Sequence, residues 1–99
     1  MGMTFNIPDK VLHEICRFAE KSGIHKIILF GSRARNQYHD RSDIDIAVIG
    51  GDFDAFYWDV KENTHSLLSF DVVDYHNRAS EELKHEIERD GITIYEKAG

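Results

Sequence analysis

Apolar residues return along this chain with two different periods, and the changes of period mark its elements. Val11, Leu12, Ile15, Cys16 and Ala19 recur at helical spacing behind Pro8, which suits a first helical turn. Gly23 stands where a helix-ending glycine belongs. The run "HKIILF" (25–30) reads as a buried strand that stops at the Gly31-Ser32 turn. "DIDIAVI" (43–49) alternates and carries β-branched residues, which predicts a second strand closed by Gly50-Gly51. Phe53, Phe56, Tyr57, Val60, Leu67 and Leu68 fit one helical stripe from about 53 to 67, with Asp52 or Asp54 as N-cap. "SFDVVDY" (69–75) is a third strand, Ser80 caps a helix carrying Leu83 and Ile87, Gly91 ends it, and "ITIYE" (92–96) is a short last strand.

The order is α-β-(turn or helix)-β-α-β-α-β. It predicts an α/β (α+β) fold, a small mixed sheet of about four strands with helices on at least one face. The 99 residues fit one domain over 1–99 with a modest core, whose sheet faces or edges call for a partner to cover them.

Charge and cysteine content narrow the function. The net charge of −6 argues against extended electrostatic binding to nucleic acid, although a local basic cluster around an anionic ligand is compatible with it. Cys16 is the single cysteine, so no internal disulfide forms; on an apolar helical face it reads as a small buried hydrophobe. Apolar runs such as "IILF" are too short to span a bilayer, and "MGMTFN" lacks the Ser or Thr at position six of a myristoylation site. The expected location is the cytoplasm.

One stretch carries chemistry: "GSRARNQYHDRSDID", residues 31–45. Side chains alternate on a strand, so Asp43 and Asp45 share a face with Ala47 and Ile49 while Ile44, Ile46 and Val48 fill the other. An arbitrary D-x-D is weak evidence and is usually solvated. Here the same face continues into apolar residues, and half-buried carboxylates without cations are costly. Hard oxygen donors suit Mg²⁺, with Mn²⁺ as the alternative, and no cysteine–histidine cluster offers a zinc site.

Gly31 and Ser32 supply a second component. A glycine after a strand lets backbone approach a phosphate closely, and the Ser32 hydroxyl can donate to a phosphate oxygen. Arg33 and Arg35, with Arg41 nearby, add positive charge inside an acidic chain. Without the aspartates, these would be an ordinary turn and solvated arginines. A third carboxylate should come from a neighbouring strand, where Asp71 and Asp74 point to opposite faces, and parity alone leaves the choice open. The six histidines form no helical metal pair and read as surface residues; His76 and Tyr75 end the third strand without a defined role.

Gly31-Ser32, ten residues, then Asp43-Ile44-Asp45 resembles the signature of the DNA polymerase beta-like nucleotidyltransferase superfamily. "FGSRAR…SDIDIAV" followed by "FDVVD" is similar to the minimal nucleotidyltransferases, over residues 24 to 96. Asn36 stands where that family often has glycine, and asparagine tolerates positive φ. The resemblance implies the polymerase beta-like palm fold and selects Asp71 as third member of the triad, leaving Asp74 structural. It implies two-ion transfer of a nucleoside monophosphate, AMP first, from ATP or another NTP to a hydroxyl. Asp43 and Asp45 would then hold both Mg²⁺ ions, Asp71 one of them, and Gly31, Ser32, Arg33 and Arg35 would face the nucleotide. It also implies a HEPN-domain helical partner, a toxin for which this chain is antitoxin. The aromatic helix with Phe53, Phe56, Tyr57 and Trp58 carries more apolar surface than one small core needs, so its non-core edge is the candidate contact, with assignment to the core as an equal alternative. Two alternatives remain: an antitoxin that acts by docking alone, and a transferase acting on a small molecule or an RNA end. Homodimer formation is open.

Overall fold

A computed structural model of the chain describes residues 2–98. Two-residue strands β1 (Met3–Thr4) and β2 (Ile7–Pro8) precede helix α1 (Asp9–Lys21). Strand β3 (Lys26–Phe30) runs into the single turn α2 (Gly31–Ala34), and strand β4 (Ile44–Ile49) follows. Helix α3 (Phe53–Asn63), strand β5 (Phe70–Asp74), the turn α4 (Tyr75–Arg78), helix α5 (Glu81–Asp90) and strand β6 (Ile92–Glu96) complete the order.

The main sheet has the order β5-β4-β3-β6. β4 pairs antiparallel with β3, β6 pairs antiparallel with the other side of β3, and β4 and β5 run parallel. The parallel pair is the one joined by a helix, α3, because parallel neighbours need a crossover longer than a hairpin.

Strand alternation gives the sheet two unlike faces. Ile27 and Leu29, Ile44, Ile46 and Val48, Phe70 and Val72, and Ile94 pack with Val11, Ile15 and Phe18 of α1 and Phe56 and Val60 of α3. Each such aliphatic side chain contributes about 1.5–3 kcal/mol by leaving water. The opposite face holds a much smaller cluster, Phe30, Ala47 and Ile87, with Ile28, Val73, Tyr75 and Leu83 around it. That face also carries the D-x-D carboxylates.

Local signals end the helices where capping chemistry predicts. Asp52 accepts from the Ala55 N–H at 3.2 Å and starts α3, and Ser80 accepts from the Leu83 N–H at 3.1 Å and starts α5. Gly23, at φ +68°, follows α1.

The expected helix over 53–67 is too long. It ends at Asn63 because Thr64 turns extended, at φ −81° and ψ 129°, with its hydroxyl donating to the Val60 carbonyl. Leu67, placed on the helical stripe by spacing, is 95% exposed. The strands expected at 25–30, 43–49 and 69–75 are each shorter by one or two residues at their ends, and 92–96 is as expected. The β1–β2 hairpin and α4 carry no periodic signal and were not anticipated.

Candidate active site

The site forms because three strand ends meet. In register, Phe30 at the end of β3 lies opposite Asp45, and on the other side of β4 Asp45 lies opposite Asp71. Asp43 precedes Asp45 by two residues, so alternation turns it toward the same face. Asp45 is half-buried, whereas Asp43 and Asp71 are exposed. Burial pushes the Asp45 carboxyl up to about 6, the negative charges of Asp71, Asp43 and Glu86 add to that rise, and Arg35 opposes it.

Gly31 is what lets the turn after β3 lie against this carboxylate. It holds φ +73°, and a Cβ there would fall 2.1 Å from Asp45 Oδ2, so no other residue fits without displacing the aspartate. The glycine of the G-S pair and the second aspartate of D-x-D are therefore in direct contact. Ser32 follows at the start of α2, half-buried.

The two arginines of the motif take different places. Arg33 is 1% exposed, and its guanidinium donates to the carbonyls of Asn6 at 2.6 Å, Ser42 at 3.1 Å and Asp40 at 3.2 Å. It also lies 4.8 Å from the Tyr38 ring centroid. Buried on these carbonyls, Arg33 ties the loop before Asp43 to the N-terminal hairpin, which departs from the expectation that it faces phosphate. Asn6, at φ 60°, completes that tie by donating to the Arg33 carbonyl at 2.7 Å. Arg35 is free of this network, with a side chain 37% exposed and paired to Glu86 of α5 at 3.7 Å. Asn36 takes φ 60°, as its place in the turn requires.

Asp74 pairs in register with Val48, so it belongs to the opposite face from Asp45 and Asp71. It accepts from Asn77 Nδ2 at 2.9 Å, a local structural contact. Tyr75 donates to Glu88 at 2.8 Å and packs beside His76, away from the triad's register positions.

Among the described residues no three His, Cys, Asp or Glu side chains already converge as a metal cage. The donor set nevertheless fits hard divalent cations: three carboxylates, two of them register partners, with the half-buried one raised by the others' charge.

Two residues of this neighbourhood escaped sequence reasoning. Asn6 has no motif, only the tolerance of asparagine for positive φ. Glu86 adjoins Ile87, the buried residue of α5, so its flank lies near the sheet, a hint that helical spacing did carry.

The chain is similar to known proteins in sequence and fold. A sequence model of the "polymerase beta, nucleotidyltransferase" family matches residues 13–98. The "Putative protein adenylyltransferase MJ0604" of Methanocaldococcus jannaschii is 48% identical over 61 residues. That alignment is 61% of this chain and 58% of the relative, so the chain spans less than two thirds of that protein's length. A crystal structure of a toxin–antitoxin with AMP-PNP superposes at TM-score 0.69 and 26% identity, over 87% of this chain and 73% of that one. A mutant of the toxin–antitoxin MntA-HpeT also reaches TM-score 0.69, at 24% identity and the same 87% and 73% coverage, which speaks for the fold alone.

Proposed function

The chain belongs to the polymerase beta nucleotidyltransferase family, and we propose that it moves AMP from ATP onto a hydroxyl of a helical partner protein, as the antitoxin of a toxin–antitoxin pair. One observation carries the reading: Asp45 and Asp71 face each other across parallel strands at the foot of the Gly31 turn. The name of the Methanocaldococcus relative supports protein adenylylation, and the AMP-PNP-bound toxin–antitoxin structure supports both the nucleotide and the kind of partner.

Each residue has a task in that reading. Gly31 lets backbone come close to the triphosphate, and the Ser32 hydroxyl donates to a phosphate oxygen. Arg35 offsets charge on the triphosphate. Asp43, Asp45 and Asp71 would hold divalent cations, Mg²⁺ or Mn²⁺, which would neutralise phosphate charge and acidify the attacking hydroxyl. Asp71 sits on the sheet-edge strand β5 and is exposed, so the acceptor hydroxyl approaches from its side and passes its proton there. The hydroxyl oxygen bonds to the α-phosphorus, the bond from that phosphorus to the bridging oxygen breaks, and pyrophosphate leaves. A surface for the acceptor comes from the partner, and Trp58 of α3, 57% exposed, is a candidate contact.

The test incubates the chain and its helical partner with labelled ATP and Mg²⁺. Label on the partner, lost with Asp45→Asn, is expected. Transfer that persists in that variant removes the cation mechanism, and a partner that is silenced without label favours docking alone.

A further inference from the structure

Resting on that function, we propose that Glu86 is an internal competitor for Arg35, an acidic group that the triphosphate displaces when it binds. Arg35 caps α2, the turn that begins with Gly31 and Ser32. Its guanidinium is held by Glu86 at 3.7 Å, with the Gln37 side chain accepting from Nε at 3.3 Å. The Glu86 side chain is 36% exposed, so water competes for the pair and the contact is exchangeable, unlike the sealed Arg33 network. Both partners lie close enough to Asp45 for their charges to act on it in opposite directions. The pair therefore borders the site.

Geometry and charge fix what this arrangement does. A carboxylate and a phosphate oxygen ask the same thing of a guanidinium, two N–H donors and a positive charge. In the structure Glu86 meets that demand. A triphosphate at Gly31–Ser32 brings more charge, so Arg35 exchanges one anion for the other and leaves Glu86 of α5 solvated. The gain from Arg35 is diminished by the lost pair, and Glu86 left in place repels the ligand. Glu86 thus sets nucleotide affinity without touching the reacting atoms; it is a positioning residue.

The test measures binding of Mg²⁺ with a non-hydrolysable ATP analogue by calorimetry, for the full chain and three variants. Glu86→Gln, which keeps shape and removes charge, should tighten binding about two- to fivefold, the range of an exposed ion pair. Arg35→Gln should weaken it, and Glu86→Gln added to Arg35→Gln should change little, since competition needs both partners. The gain should shrink as salt rises toward about 1 M. Glu86→Asp, which keeps the charge but is one methylene too short to hold the pair, should give only part of the gain seen in Glu86→Gln. Unchanged or weaker binding in Glu86→Gln overturns the inference and leaves the proposed function standing. An equal gain with and without Arg35 also overturns it, because plain charge removal then explains the effect. A parent chain that binds no nucleotide overturns both.

Discussion

The two faces of the sheet treat buried carboxylates in opposite ways. Where α1 packs, Glu14 is 9% exposed and fully provided for: the His65 N–H donates to Oε1 at 3.1 Å, and His65 Nδ1 lies 2.7 Å from Oε2. Burial alone would raise the Glu14 carboxyl, but these contacts outweigh it and bring the group below its ordinary value. On the other face Asp45 is half-buried among Asp71, Asp43 and Glu86, and its carboxyl is raised to about 6. Glu14 fastens the segment leading into β5 to α1. Asp45 does the opposite, since its ionised form is disfavoured. Structure tolerates one such group where a ligand is expected to relieve it, and the lesson is that the exception marks the site.

Adjacent positions on β4 offer the sharpest break of that comparison. Ile46 is fully buried in the larger core, so Ile46→Ala should cost about 2–5 kcal/mol through lost transfer and a cavity. Urea unfolding measures it, and a loss below about 1 kcal/mol would mean that this face is less tightly packed than its contacts indicate.

Next in size is the fastening of Glu14. Glu14→Gln keeps the volume but removes the charge that His65 meets, and should cost about 1–2 kcal/mol at pH 7, as for a hydrogen bond to a charged group. The sign follows from the lowered value: the contribution is present above the unfolded value of 4.5 and fades as pH falls through the folded one. Melting of parent and variant should converge at low pH; a difference that persists there would assign the effect to packing.

Both faces were legible in the sequence to different depths, for physical reasons. The packed face is written in periodicity, which places Ile44, Ile46 and Val48 together and needs nothing distant to be true. The G-S and D-x-D elements were legible because their spacing is short and strand alternation is strict. The face of Asp71 depended on the register of two strands that are separated by a helix, which alternation inside either strand does not contain. Arg33 was misread because a charged side chain near a glycine turn resembles a phosphate ligand. Its burial depends on three carbonyls, one of them on Asn6, 27 residues away. Leu67 satisfied the helical period yet lies past the end of α3, since Thr64 and not hydrophobic spacing stops the helix.

The smallest effect sharpens the comparison most, because stability and function should move in opposite directions at one residue. Asp45→Asn removes the disfavoured charge while keeping the side chain's shape beside Gly31. A carboxyl raised from 3.8 to about 6 binds its proton more tightly folded than unfolded. Below the unfolded value both states are protonated and nothing is lost. As pH climbs through the interval the unfolded chain gives up its proton first, so stability falls, and above the folded value the loss is complete. Discounted for partial exposure, it is on the order of 1 kcal/mol. In chelator at pH 7.5 the variant should therefore be about 1 kcal/mol more stable than the parent, and at about pH 3, below the unfolded value, the two should coincide. With Mg²⁺ and a nucleotide analogue the order should reverse, since only the parent gains a bound ligand. Equal stabilities in chelator across this pH range would mean that Asp45 rests as comfortably as Glu14, and the two faces would no longer differ in how they hold charge.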